Sequence, residues 1–161
     1  MEEFKASLKR WTLLLGVLQI TVGCLVGLIP PSAVAWFRGI VMGHIEYTAN
    51  GVLMIAFAFL VSELKLSRAA LWVWFITLQF GTWTNGTAGV VGAFLGQSSP
   101  LMATLNEKFP PPGGINAPAV TCLLQVCAVT ILVCLALTII GLIRTQGAAA
   151  PSPDQDADRR A

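Results

Sequence analysis

Four apolar stretches, each close to the length that crosses a hydrocarbon core, leave this 161-residue chain few ways to fold. A bilayer core about 30 Å thick takes roughly 20 helical residues. The stretches run from about Trp11 to Ile29, Gly43 to Val61, Ala69 to Gly96 and Ala117 to Ile143. A chain that is 55% hydrophobic, 11% charged and has a mean hydropathy of +0.74 does not belong among soluble globular domains. The expected fold is therefore all-α: an integral membrane four-helix bundle. Its spans lie near 11–29, 43–61, 69–96 and 117–143 within one domain at 1–144, followed by a disordered cytoplasmic tail at 145–161 rich in Ala, Pro, Asp and Gln. The first stretch follows Lys5, Lys9 and Arg10 but lacks a small-residue cleavage site and runs on to Pro30-Pro31, so it reads as a retained span.

Four spans put the N-terminus, the middle connection and the C-terminus on one side of the membrane. Lys5, Lys9, Arg10, Lys65, Arg68, Arg144, Arg159 and Arg160 fall on that side, against Arg38 and Lys108 on the other. The positive-inside rule makes both termini cytoplasmic and the protein a multi-pass protein of the cell inner membrane. A net charge of +2, with basic residues scattered around membrane ends, argues against a nucleic-acid partner. Cys24, Cys122, Cys127 and Cys134 all fall inside spans and make neither a CxxC pair nor a CxxCH, so neither zinc nor covalently attached haem is indicated.

The connections differ in kind. The first ten residues read as a short amphipathic lead-in at the cytoplasmic interface, and Trp36, Phe37 and Arg38 as a headgroup-level anchor in a loop from Pro30 to about Met42. A short polar connection from Ser62 to Arg68 makes the second and third spans antiparallel neighbours. The connection from Gln97 to Asn116 contains Pro110-Pro111-Pro112-Gly113-Gly114 and reads either as a lid or as a disordered connector. In the third span, Ala88, Gly92 and Gly96 form one row of small residues at four-residue spacing, and Gly81, Asn85, Gly89 and Ala93 form another. Such rows let backbones approach, or leave room for a flat ligand. The aromatic density of the same span, with Trp72, Trp74, Phe75, Phe80 and Trp83, suits either a planar ligand or an interfacial belt.

The ionisable cluster His44-Ile45-Glu46-Tyr47-Thr48-Ala49-Asn50 enters the second span, where charge is costly and tends to be functional. At 100° per residue, Tyr47 is rotated about 60° from His44, and Asn50 about 120° and about 9 Å further along the axis, while Glu46 points almost opposite. A compact metal cage is disfavoured, because His44 is the only histidine and no second acidic residue lies in a span. A single imidazole suffices for haem, which brings its other ligands and needs one axial nitrogen from the protein. Met42, Met54 or Met102 closing the sixth position would turn such a site toward electron transfer. The plainer role for His44 is an interfacial histidine bonded to Glu46 or to a backbone carbonyl.

The stretch from His44 to Gly51, followed by Val52-Leu53-Met54-Ile55-Ala56, together with Phe80-Gly81-Thr82-Trp83-Thr84-Asn85, resembles the hydroxylaminobenzene mutase and styrene-oxide isomerase group of small four-helix membrane proteins. The resemblance covers the second to fourth spans, and its sharpest part is a histidine followed six residues later by Asn-Gly. In the epoxide isomerases of this group the equivalent histidine holds a ferric haem b between subunits of a homotrimer, while the Asn and a third-span tyrosine contact substrate. The resemblance therefore implies haem b held by His44, a substrate contact at Asn50, a small aromatic substrate and a homotrimer in the lipid bilayer. The chain departs from the epoxide isomerases at Gly89, which stands where the third-span tyrosine belongs, and its only tyrosine is Tyr47. That departure and the acidic Glu46 make the chain look closer to the mutase branch.

The activity expected on this reading is a mutase that rearranges N-aryl hydroxylamines to 2-aminophenols, with ferric iron acting as a Lewis acid on the substrate oxygen. Asn50 and Asn85 orient the substrate, Glu46 is a candidate proton shuttle, and Tyr47 is a fourth candidate catalytic group. Glu46 has an equally weighted structural role, fixing a helix end or pairing with Arg38. Conversion of aryl epoxides to aldehydes is the alternative on the same scaffold. A further alternative is a non-catalytic four-span protein, a small transporter or assembly subunit in which Glu46 couples protons or meets a partner.

Overall fold

A computed structural model describes residues 1–146 of the chain. They form five α-helices and no strand: α1 (Glu2–Gly27), α2 (Phe37–Leu60), α3 (Arg68–Leu95), the short α4 (Ala103–Lys108) and α5 (Pro118–Gln146). Three of the long helices, over Glu2–Gly27, Phe37–Leu60 and Pro118–Arg144, are long and apolar enough to cross a bilayer, the signature of a multi-pass membrane protein. α3 matches them in length at 28 residues but carries Gln79, Thr82, Thr84, Asn85 and Thr87 along its middle. The tail expected to be disordered lies, beyond Gln146, outside the described residues.

Helix ends follow local chemistry. The amphipathic lead-in is no separate interfacial segment, because α1 begins at Glu2 and continues through it without a break. Likewise the Trp36-Phe37-Arg38 anchor is not loop: α2 starts at Phe37, with Trp36 as its N-cap. The Trp36 amide donates to the carbonyl of Ala93, at 3.0 Å, which ties the start of α2 to the end of α3. Ser67 caps α3 by accepting from the Ala70 amide at 3.3 Å, and α3 stops at Gly96, whose φ of 64° favours glycine. At the opposite end of the molecule Lys5 reaches back along α1 and donates Nζ to the carbonyl of Ser62 at 2.9 Å, satisfying the chain just past the end of α2.

The long helices pack in chain order, α1 on α2, α2 on α3 and α3 on α5, and no main contact joins α1 to α5. The long helices of the expected all-α bundle are thus arranged as a folded row. Its main hydrophobic core, with Leu8, Met54, Val61, Leu71, Trp74, Leu78 and Cys134, fills the half nearer the N-terminus, and the Trp74 indole there donates to Thr138 Oγ1 at 2.9 Å. A smaller cluster of Ala88, Ala117 and Val120 lies in the other half, and glycines bring helix backbones together between and within the two. A β-carbon at Gly89 would lie 2.7 Å from the Gly43 backbone nitrogen, and one at Gly16 would lie 2.9 Å from the Gly51 carbonyl oxygen. The small residues of α3 therefore serve close helix packing, Gly81 against Ile131 of α5 and Gly89 against α2.

The connection between α3 and α5 is folded. Gly113 and Ser98 donate their amides to the carbonyls of Gly96 and Gly114, and Ala117 donates to Ser98. Asn106 Nδ2 bonds the Ser99 carbonyl and the Ser99 hydroxyl meets that of Thr121, both at 2.8 Å. Arg38 at the head of α2 stacks on Phe109 of this segment, its Cζ 4.1 Å from the ring centroid. The prolines prevent one continuous helix, and turns with side-chain bonds take its place.

Candidate active site

His44 lies in the first half of α2 and turns toward α1. Its Nδ1 sits 2.8 Å from the carbonyl oxygen of Gly23. A carbonyl oxygen only accepts, so Nδ1 carries the proton and, in the neutral ring, Nε2 keeps its lone pair. Beneath the ring is Gly27, where a β-carbon would stand 2.8 Å from Nδ1 and 3.2 Å from Cγ. Gly23 and Gly27 are one helical turn apart, so they offer the ring a bare backbone seat and an acceptor on the same face of α1. The plainer role for His44, a bond to a backbone carbonyl, is thus realised on one ring nitrogen only.

A second cluster gathers on the side of α2 away from α1. The Glu46 carboxylate accepts from Asn85 Nδ2 of α3 at 2.5 Å. Asn50, one turn along α2, reaches the same carboxylate oxygen at 3.5 Å and the Thr82 carbonyl at 3.4 Å. Such lengths are at the limit of hydrogen bonding, so Asn85 is the carboxylate's principal partner and the Asn50 amide is only loosely held. Arg38 does not pair with Glu46; it is stacked on Phe109.

Tyr47 occupies a third direction. Its ring is buried over Gly86, edge-on to Trp83 with centroids 5.7 Å apart, and its hydroxyl meets Thr87 Oγ1 at 2.7 Å. Thr87 gives its own proton to the Trp83 carbonyl, so Tyr47 is the donor of that pair. The structure therefore joins Glu46, Asn50 and Asn85 by hydrogen bonds, while His44 bonds to Gly23 and Tyr47 to Thr87. Gly23 and Gly27 escaped the sequence reading, although Gly16, Gly23 and Gly27 mark one face of the first span at spacings of seven and four.

No group of three or more His, Cys, Asp or Glu side chains able to hold a metal occurs among the described residues, and the four cysteines are free thiols. A family model described as styrene oxide isomerase matches residues 8–143. The chain belongs to the styrene oxide isomerase family. Comparison with curated proteins and with solved structures finds no match. The matched stretch takes in nearly all of the four long helices and includes His44, Glu46, Asn50 and Asn85. As a member of the styrene oxide isomerase family the chain is placed among isomerases, and the non-catalytic alternative gives way to an enzymatic one.

Within this styrene oxide isomerase family member, Gly89 acquires a specific meaning. It is wedged between the backbones of Gly39 and Gly43, so the position has no room for any side chain. The polar groups on that side of α2 are instead the Glu46 carboxylate and the amides of Asn50 and Asn85.

Proposed function

We propose that this protein isomerises aryl epoxides to aldehydes inside the membrane. The family match over residues 8–143 carries this reading and favours it over the hydroxylamine mutase expected from the sequence. The benzylic C–O bond opens with its electron pair moving to oxygen, a hydride migrates from the neighbouring carbon, and a C=O bond forms. The reaction consumes neither water nor electrons. An apolar site that keeps water from the benzylic cation therefore suits it.

The residues present fit a haem b. His44 is the one imidazole of the chain, and its Nδ1–H is committed to Gly23, which leaves Nε2 as an available ligand. A ferric haem bound there supplies a Lewis-acidic iron for the substrate oxygen. Asn50, whose amide has only long contacts, turns to donate to that oxygen and fix its position. Asn85 holds the Glu46 carboxyl in place beside the Asn50 amide.

His44 and Asn50 diverge by about 120° around α2. On this reading two copies share each site, His44 coming from one and the Glu46, Asn50 and Asn85 cluster from its neighbour, in the homotrimer expected by resemblance. We further assign four membrane spans, α3 included, with both termini cytoplasmic in the cell inner membrane. Lys5, Lys9, Arg10, Lys65, Arg68 and Arg144 lie at one end of the row and Arg38 and Lys108 at the other.

One observation favours hydroxylamine rearrangement as the second reading. Moving a hydroxyl from nitrogen to the ortho carbon breaks an N–O bond, forms a C–O bond, strips a proton from the ring and returns one to nitrogen. A carboxylate such as Glu46 is a relay for those protons, whereas a hydride shift needs none. The test is one haem-loaded preparation assayed with styrene oxide and with phenylhydroxylamine. A higher kcat/KM for phenylacetaldehyde formation supports the proposal, and 2-aminophenol formation without epoxide turnover reverses it.

A further inference from the structure

His44 is held by more than its own helix. Its ring meets α1 at two glycines one turn apart, one providing a carbonyl 2.8 Å from Nδ1 and the other a surface without a side chain. Any β-carbon at Gly27 would crowd Nδ1, Cγ and Cε1 together, at 2.8, 3.2 and 3.3 Å, so the whole ring has to move and not just its tip. Moving the ring breaks the bond to Gly23. With that bond gone, the proton is free to sit on either nitrogen, and the tautomer with Nε2 protonated has no lone pair there for a metal.

We propose that Gly23 and Gly27 are positioning residues that fix the tautomer and ring plane of His44, and thereby set how tightly its Nε2 holds haem iron and at what potential. The inference rests on the haem reading given under Proposed function. It adds that α1, which contributes no side chain to the site, governs the ligand through its backbone. A carbonyl that accepts the distal N–H makes the imidazole a stronger donor, which stabilises ferric over ferrous iron, and loss of such a partner weakens metal binding about 10- to 100-fold.

Other glycines of α1 separate this role from helix packing. Gly16 also lies against α2, and a β-carbon there would meet the Gly51 carbonyl oxygen at 2.9 Å and Ile55 Cγ1 at 3.0 Å, far along the helix from His44. Gly16→Ala therefore burdens the same helix pair without touching the ring.

The experiment compares wild type, Gly27→Ala and Gly16→Ala purified with their haem. Haem transfer to apomyoglobin is expected to be about 10- to 100-fold faster from Gly27→Ala than from wild type, with the ferric/ferrous potential moved to a more positive value, while Gly16→Ala follows wild type. Equal behaviour of the two variants, changed or unchanged, overturns the inference. Because His44 is the only histidine, 15N-histidine labelling of the full chain prepared without haem gives one imidazole, expected to be protonated at Nδ1. A proton on Nε2 in the neutral ring overturns the inference even where the variants fail to fold. A wild-type chain with no Soret band instead overturns the haem reading itself, an outcome distinct from a Soret band that Gly27→Ala leaves untouched.

Discussion

Asn85 of α3 donates its amide to the Glu46 carboxyl of α2 at 2.5 Å, a short hydrogen bond made between two helices. The bond joins the residue that separates the two candidate chemistries to the helix that packs against both α2 and α5.

Glu46→Gln tests what that carboxylate does. The amide is nearly isosteric and leaves the fold and haem in place, but it cannot relay a proton. Phenylhydroxylamine turnover is expected to fall about 100-fold or more, the usual size of a lost general acid or base, while epoxide turnover falls much less. Parallel assays of the variant with both substrates decide it, and equal losses remove the relay role.

If the proposed haem site is right, Asn50→Ala is expected to keep haem and assembly but to lose about 100-fold in kcat, the typical effect of deleting one donor aimed at developing negative charge. Single-turnover measurements on haem-loaded protein check this. Wild-type rates in a well-assembled variant would show that the amide only packs.

His44→Ala should remain in the membrane at normal levels and lose the Soret band, since no other imidazole exists to replace the ligand. Full haem retention in that variant would place the cofactor elsewhere.

Gly89→Ala is expected to destabilise the protein by about 1–3 kcal/mol, the usual cost of overpacking, because its β-carbon would meet the backbone of α2. Thermal unfolding in detergent measures it. A stability equal to wild type would mean that α2 and α3 sit further apart than described.

Topology is open to cysteine labelling in a Cys-free background. A cysteine at position 108 should react from outside intact spheroplasts, and one at position 65 only after lysis. The reverse pattern would invert the molecule.

The four long helices were legible in the sequence because long apolar runs have few folded outcomes in lipid, while the short α4 inside the connection from Gln97 to Asn116 was not. The ends of the helices were less so: α1 absorbs the charged lead-in, and α2 begins at Phe37, several residues before the apolar run at Gly43. Charge and aromatics read as interface signals, yet backbone hydrogen bonding carries the helix straight through them. Angular placement on α2 correctly separated His44 from Glu46, since helical geometry alone decides that. It could not say which neighbour each side chain meets. The bond to Asn85 depends on the register of α3, and the seat for His44 on two glycines that look like any others in an apolar run. A missing side chain leaves no sequence signal of what rests on it.

The glycine crossings between α1, α2 and α3 bear on how the protein fails when heated. Each helix completes its own backbone hydrogen bonds, so lipid gives it no reason to unwind, whereas contacts between bare backbones are short-ranged and vanish with a small separation. Inactivation should then be a parting of intact rods: far-ultraviolet ellipticity persists while His44 slides off Gly27 and Asn85 releases Glu46. For such a molecule the relevant melting point is that of a lateral fit, and bilayer pressure counts toward it as much as helix propensity.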